Sequence, residues 1–211
     1  MSTTASGDLE LLPTDPTSFR LGFRHGAEAK VTQNPIHFDL TSTSIDDQQS
    51  SVADLIAHGA QPADVGQAGD EGHVVLADPE GNEFCVIEPG NLFLSSCPRL
   101  GAVNCDGTKE LGYFFSVLLG WPLVWDQDEE TAIQAPTGGG PKITWSGPPL
   151  RAKSHRERIH VHITPAAGTS TDTAVAELLR LGATRLDSGG RRCLGEVALA
   201  DVDGNELCLV E

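Results

Sequence analysis

The sequence lacks the features of a membrane, nucleic-acid-binding or disulfide-stabilised protein. No segment approaches the roughly 18 consecutive apolar residues that a membrane-spanning helix needs. Lys and Arg total 14 against 30 Asp and Glu, and the formal charge of −16 excludes the basic surface that binds nucleic acid or anionic lipid. The five cysteines are odd in number and form no Cys-x-x-Cys, which argues against a disulfide framework or a zinc knuckle. We therefore expect a cytoplasmic protein without nucleic-acid or membrane partners.

One stretch of the sequence occurs twice, as Ala77–Cys85 (ADPEGNEFC) and Ala200–Cys208 (ADVDGNELC). Each copy joins two runs in which apolar residues alternate. Asp-x-x-Gly-Asn between such runs predicts a β-hairpin, because Gly and Asn tolerate positive φ at low steric cost. The residues of this motif are therefore interpreted as turn residues rather than as an acidic binding motif: Asp78, Gly81, Asn82, Asp201, Gly204 and Asn205.

The same offset of 123 residues aligns much more of the chain. Without a gap it matches His37 with His160, Thr41 with Thr164, Val52 with Val175, and Leu55 with Leu178. We infer an internal duplication of one small domain.

Each copy predicts the order strand, helix, strand, strand, strand. Ile36–Leu40 and Ile159–Ile163 alternate apolar and polar residues, as half-buried strands do. The helices are predicted to begin near Asp46 or Asp47 and near Asp172, and to end at the glycines Gly59 and Gly182. Their apolar faces are predicted to consist of Val52, Leu55 and Ile56, and of Val175, Leu178 and Leu179.

A further strand, helix and strand are predicted at Leu100–Cys105, Thr108–Leu119 and Pro122–Trp125, with no counterpart upstream. The expected domains are therefore an incomplete copy at 1–88, a linker at 89–98 and a complete copy at 99–211. An incomplete sheet exposes an edge, so we expect a homo-oligomer formed through the N-terminal sheet.

Several motifs together resemble the glyoxalase, bleomycin-resistance and extradiol-dioxygenase superfamily, also called vicinal oxygen chelate, and most closely its actinobacterial glyoxalase-like branch. They are Tyr113–Trp121 (YFFSVLLGW), Arg158–His162 (RIHVH), Leu181-Gly182-Ala183 and the two hairpins. The resemblance implies an α+β fold of paired βαβββ modules, here a tandem duplication with a truncated N-terminal copy. In that fold two modules enclose a cup that binds small molecules.

Metal-using members of this superfamily bind a divalent ion in the cup through two histidines and a glutamate. The resemblance places His37 and His160 at one histidine position, but Cys85 and Cys208 stand at the glutamate position, and the other histidine position falls near Arg99. One histidine does not hold a divalent ion well, so we expect no metal and no cofactor. Replacement by His160, His162 and Cys208 remains an alternative, and such ligands would suit zinc or copper.

The leading functional expectation is a metal-independent small-molecule-binding protein that sequesters or recognises an apolar metabolite or drug. The residues expected to bind the ligand are His37, Asp39, Cys85, Trp145, His160, His162 and Cys208. Trp145 is included because a tryptophan on a cup strand can stack on a planar ligand. One alternative is a metal-independent lyase or isomerase in which His160 or His162 is the general base. The other is a metal-dependent lyase or dioxygenase.

Overall fold

The computed structural model describes residues 2–3, 9–13, 19–23, 30–67, 71–151, 158–186 and 197–210. The helices in these ranges are α1 (Ile45–Ala57), α2 (Lys109–Leu119) and α3 (Thr171–Arg180). The strands are β1 (Ser2–Thr3), β2 (Leu9–Leu11), β3 (Leu21–Phe23), β4 (Ile36–Leu40), β5 (Gln61–Pro62), β6 (Val74–Ala77), β7 (Glu83–Val86), β8 (Leu100–Cys105), β9 (Leu123–Gln127), β10 (Glu130–Gln134), β11 (Lys142–Trp145), β12 (Val161–Ile163), β13 (Thr184–Arg185), β14 (Val197–Ala200) and β15 (Glu206–Leu209). Within these ranges, no helix has the length and apolar character needed to cross a membrane.

The strands form three sheets, and the two copies of the module have the same strand order. The orders are β1-β2-β3, then β5-β6-β7-β4-β8-β11-β10-β9, then β12-β15-β14-β13. In each copy the first strand of the module pairs in parallel with its last, β4 with β7 and β12 with β15. The paired residues also differ by 123, since Phe38 lies opposite Phe84 and Val161 lies opposite Leu207. The predicted α+β class and the duplication are confirmed.

The neighbour of β8 differs from our expectation. The sequence analysis assigned β8 to a complete copy at 99–211, but β8 lies beside β4 of the first module, and Thr41 N donates to Arg99 O at 3.0 Å. The repeat specifies the strand order within a module. It does not specify which modules pair, because every module presents the same edge along its first strand. The domain boundaries at 88 and 99 stay a prediction.

The chain divides into two compact units. The first comprises Met1–Gln33, His37–Val103 and Gln134–Ile143, and it contains α1 and β5 to β7. The second comprises Asn34–Ile36, Asn104–Ile133 and Thr144–Glu211, and it contains α2, α3 and the sheet of β12 to β15.

Serine residues cap α1 and α3, where aspartates were predicted. Ser44 Oγ accepts from Asp47 N, and Ser170 Oγ accepts from Thr173 N. The predicted aspartates, Asp46, Asp47 and Asp172, lie in the first turn instead. Carboxylates in the first turn are stabilised by the helix dipole, which is why aspartates occur there. The predicted N-cap positions lie two or three residues after the observed ones.

The first core lies between α1 and its sheet. Val52 and Leu55 of α1 pack with Val74, Ala60, Leu76, Phe84 and Val86. Ile56 was predicted to join them but is 44% exposed, as is Leu179 of α3 at 40%. Each directly follows a leucine of the core, Leu55 or Leu178, and one residue is about 100° around the helix.

The helix α2 agrees closely with the sequence prediction. Leu111, Phe114 and Phe115 are buried, and the helix ends at Gly120 in the left-handed conformation, with φ of 64°. Thr108 is the N-cap, but its side chain does not cap the helix. Asp203 of the hairpin between β14 and β15 accepts from Thr108 N at 2.6 Å and from Thr108 Oγ1 at 3.0 Å. A carboxylate distant in sequence therefore caps this helix.

Candidate functional site

The repeated hairpin motif is structural, as predicted. Asp78 Oδ1 accepts from Glu80 N and Asn82 N, and its Oδ2 accepts from Asn82 Nδ2. Asp201 makes the equivalent three contacts with Asp203 and Asn205. Both carboxylates are occupied in holding their turns, so neither motif is a candidate site.

The candidate site lies on the other face of the sheet from α1. On β7, Phe84 and Val86 pack in the core beneath α1. Because successive strand residues face opposite sides, Cys85 points away from α1, and Asp39 lies directly opposite it on β4. His37 is two residues from Asp39 on the same side. One donor atom from each of these three residues lies within 4.8 Å of the others. We call His37, Asp39 and Cys85 the first cluster.

The first cluster combines a buried carboxylate with an accessible imidazole. Asp39 is only 6% exposed, whereas the His37 side chain is 30% exposed. His37 Nε2 lies 3.5 Å from Asp39 Oδ1, so the carboxylate is placed to orient the imidazole ring.

Cys85 is a thiol rather than a thiolate. Burial raises the pKa of Cys85 to about 12, and the charge of Asp39 and a hydrogen bond to it act in the same direction. Since the thiolate is the nucleophile, the geometry does not support nucleophilic catalysis by Cys85 in this state.

The equivalent residues of the last module, His160, His162 and Cys208, form the second cluster. Their donor atoms also lie within 4.8 Å of one another, and Cys208 faces His162 across β12 and β15. His160 Nε2 and His162 Nε2 are 2.8 Å apart, so one donates a hydrogen bond to the other. The predicted role of either histidine as a general base stays a prediction.

Cys208 differs from our expectation in one respect, since it is disulfide-bonded. The described cysteines Cys85, Cys97 and Cys105 are free thiols. A sulfur in a disulfide is neither a nucleophile nor a thiolate ligand. The alternative ligand set of His160, His162 and Cys208 therefore requires prior reduction of this disulfide. An odd count of cysteines does not exclude a single bridge, which is why composition did not reveal it.

Trp145 is a core residue. It is 2% exposed, and its ring stacks on that of Phe115 in α2 at a centroid distance of 5.2 Å. It therefore lies on the helix side of its strand, and the predicted contact with a ligand is not supported. The alternating residues around Trp145 correctly predicted a strand. They did not indicate which face of that strand packs against a helix.

The sequence analysis did not single out Lys142, which is buried at 7% exposure. Its ammonium donates to Phe93 O and lies 4.3 Å from the centroid of the Phe93 ring. Its positive charge also opposes the burial that raises the pKa of the Cys97 thiol. The available signal was a lysine at the start of the short strand Lys142–Trp145, which contains no other charged residue.

The two clusters differ in how well they fit the divalent ion that the superfamily implies. The first cluster offers an imidazole nitrogen, a carboxylate oxygen and a free sulfur. Three protein ligands with one open position are typical of a catalytic zinc site. The second cluster offers only two nitrogens while Cys208 is disulfide-bonded. The first cluster fits a metal ion, and the second does not fit one in its disulfide form.

The family-model comparison matches residues 3–87 and 102–210 to the glyoxalase-like domain, so the chain belongs to the glyoxalase-like domain family. Among solved structures it is similar to glyoxalase I from Zea mays, with 15% identity and a TM-score of 0.53, covering 91% of this chain and 73% of that one. Two point mutants of the same enzyme give 17% identity, with TM-scores of 0.55 and 0.56. At these identities the likeness concerns the fold alone. No curated protein matches this chain.

Proposed function

We propose that this chain binds a small organic molecule through the first cluster, and that this binding does not require a metal ion. The observation that carries the proposal is the buried carboxylate of Asp39 beside the accessible imidazole of His37, on the sheet face away from α1. Burying a carboxylate costs folding free energy, so Asp39 beside His37, outside the core beneath the helix, marks a candidate binding site.

The chemistry of the cluster suggests the kind of ligand. Asp39 can accept hydrogen bonds, His37 can accept or donate one, and Cys85 is a neutral thiol in a buried setting. A largely apolar metabolite or drug that carries an amine or another hydrogen-bond donor suits this combination.

A ligand screen on chelator-treated protein tests the proposal. Thermal unfolding is measured with a panel of aromatic amines, alcohols and acids, because a ligand that binds the folded state raises the unfolding temperature in proportion to its saturation. We expect amine-bearing compounds to stabilise the protein, and Asp39→Asn to weaken their binding about tenfold or more. Asp54→Asn, at an exposed aspartate of α1, and His73→Gln, outside both clusters, serve as controls. Equal binding by wild type and Asp39→Asn would contradict the proposal.

A metal-independent lyase or isomerase is the second candidate. The sequence favoured His160 or His162 as the general base. The proximity of His37 to Asp39 instead favours His37, since a carboxylate orients an imidazole and stabilises the imidazolium that forms. Turnover of any ligand found in the screen should fall by about two orders of magnitude or more in His37→Gln, with binding largely retained. Loss of turnover only in His160→Gln would return the role to the second cluster.

We also propose that the chain self-associates, as the sequence suggested. Leu9 and Phe23 face each other on β2 and β3 and are 44% and 51% exposed, and Leu11 on the same side is 37% exposed. Burial of this apolar surface in a second copy would be favourable. Sedimentation analysis should show a dimer that Phe23→Lys dissociates, and a concentration-independent monomer would contradict it.

The cytoplasmic location and the actinobacterial branch remain predictions. The disulfide of Cys208 is more typical of an oxidising compartment. Mass spectrometry of alkylated protein from cells, before and after reduction, tests the location.

A further inference from the structure

We propose that Cys97 is a site of reversible oxidation by peroxides, at which the Lys142 ammonium and the Gln134 amide stabilise the oxidised sulfur. None of these residues belongs to the first or the second cluster, so the site is independent of the proposed organic ligand. All three lie in the first unit of the chain.

Lys142 carries a buried positive charge that no described carboxylate compensates. It is 7% exposed, and within the described ranges its ammonium forms no ion pair. It donates a hydrogen bond to Phe93 O and lies 4.3 Å from the centroid of the Phe93 ring. A carbonyl oxygen and a ring face carry no net negative charge, and an ammonium has three hydrogens to donate. A buried ammonium in this setting favours an anion beside it.

Two further donors face the Cys97 sulfur. Gln134, also 7% exposed, donates from Nε2 to Gly140 O at 2.6 Å, and the same nitrogen lies 3.8 Å from Cys97 Sγ. An amide nitrogen has two hydrogens, so it can donate to both acceptors. The backbone N–H of Lys142 also donates to the sulfur. The surroundings of Cys97 are therefore suited to a sulfur that gains negative charge.

The other described free cysteines are poorer candidates for oxidation. Cys85 and Cys105 are 8% and 6% exposed, whereas Cys97 is half-buried. Burial raises the pKa of Cys85 to about 12, and the charge of Asp39 adds to that effect. Burial also raises the pKa of Cys97, but there the charge of Lys142 acts in the opposite direction. A partly exposed thiol in an electropositive setting is the kind that oxidises first.

The reaction is a two-electron oxidation of sulfur. The Cys97 thiolate attacks one oxygen of hydrogen peroxide, so an S–O bond forms and the O–O bond breaks. The hydroxide that leaves takes up the thiol proton, and one thiol and one peroxide therefore give a sulfenic acid and one water. Two molecules of a small thiol reverse the change. The first forms a mixed disulfide and releases water, and the second displaces Cys97 by exchange.

Trapping of the sulfenic acid with dimedone tests the proposal. Purified full-length protein without added thiol is treated with hydrogen peroxide and dimedone, and fragment-ion mass spectrometry assigns each adduct to a cysteine. We expect the adduct on Cys97 to form about tenfold faster than on Cys85 or Cys105. A small thiol added before dimedone should prevent it. No adduct on Cys97, or an equal or faster rate at Cys85 or Cys105, would overturn the proposal without any variant.

Variants separate the charge of Lys142 from its packing. Lys142→Met removes the charge at similar length and should slow the labelling of Cys97 about tenfold, because loss of a nearby positive charge raises the thiol pKa. The pH profile of the rate should move to higher pH. Lys142→Arg keeps the charge and should keep the rate and the profile.

Lys109→Met is the matched control, at a lysine that pairs with Glu129, and should leave the labelling of Cys97 unchanged. Thermal unfolding verifies that each variant is folded. A folded Lys142→Met protein with the wild-type rate and pH profile at Cys97 would also overturn the proposal.

Discussion

Asp39 lies directly opposite Cys85 in the parallel pairing of β4 with β7, and the equivalent pair in the last module is His162 with Cys208. The duplication has therefore kept the backbone position of the two residues while a carboxylate in one copy corresponds to an imidazole in the other. A carboxylate attracts cations, whereas two adjacent histidines carry positive charge when protonated. The two clusters are thus expected to differ in their ligands despite their common geometry.

The first prediction concerns the reactivity of Cys85. Burial is the main cause of its raised pKa, and Asp39 adds to it. Asp39→Asn replaces the carboxylate by a neutral amide and so removes the contribution of the Asp39 charge to the pKa of Cys85. That pKa should fall, but it should remain above its usual value because Cys85 is still buried. Alkylation of Cys85 at about pH 8.5 should accelerate, because the thiolate is the reactive species. Peptide mass spectrometry separates its rate from that of Cys105, another buried cysteine outside any disulfide, which should not change. An unchanged or slower rate at Cys85 would refute the role of Asp39.

The second prediction concerns acid stability at the start of α1. Hydrogen bonds from Thr43 N and Thr43 Oγ1 lower the pKa of Asp47 in the folded protein. A depressed folded pKa contributes stability above the unfolded pKa, and that contribution is lost as the pH falls through the folded value. Asp47→Asn should therefore be less stable than wild type near neutral pH. The difference should shrink below about pH 4.

Urea unfolding at several pH values measures this difference. Thr43→Ala removes the hydroxyl donor and should give a smaller effect with the same pH trend. A difference that grows as the pH falls would contradict the assignment.

The third prediction concerns the cap of α2 by Asp203. Its carboxylate accepts from Thr108 N and Thr108 Oγ1, so Asp203→Ala leaves the first turn of the helix without that acceptor. We expect a loss of about 1 kcal/mol in the free energy of unfolding, as is usual for removal of an N-terminal cap. Asp203→Asn keeps an acceptor oxygen and should lose less. Equal unfolding midpoints for Asp203→Ala and wild type would refute the cap.

The fourth prediction concerns the close contact of α2 with β10. A Cβ on Gly112 would fall 3.1 Å from Thr131 Cγ2 and closer still to two other atoms of that side chain. Since both residues are buried, Gly112→Ala should cost about 1–3 kcal/mol through overpacking.

Two variants control this prediction. Gly22→Ala places its Cβ where nothing lies within 4 Å and should be nearly neutral. In a Thr131→Ala background the cost of Gly112→Ala should shrink, because the two side chains interact directly. Full additivity in this double-mutant cycle would refute the clash.

The sequence predicted the modules well because their signals are local. The hairpins depend on the turn chemistry of Asp78 and Asp201, and both carboxylates make the expected contacts. The helix α2 was predicted within one residue because an apolar stripe ends at Gly120. The helix starts were misplaced because serine and aspartate both favour this region, and only the backbone decides which one accepts the first hydrogen bond.

The candidate site was predicted only in part. His37, Asp39 and Cys85 were all named from the sequence, but the burial of Asp39 opposite Cys85 depends on the pairing of β4 with β7. Trp145 was expected to contact a ligand because alternation along a strand shows which residues share a face. It does not show which face packs against a helix and which face is open to a ligand. Its stacking on Phe115 depends on the position of α2.

By itself the sequence determined the duplicated module, its strand and helix order, and the histidines and cysteines that recur at the same offset, because periodicity and turn chemistry act between near neighbours. Tertiary structure alone decided that β8 lies beside β4, that Asp39 is buried against Cys85, and that Cys208 is disulfide-bonded. Those outcomes depend on which strand edges pair and which cysteines come close together in the folded chain. Several strand edges and several cysteines are alike in sequence, so local sequence patterns do not determine the pairing.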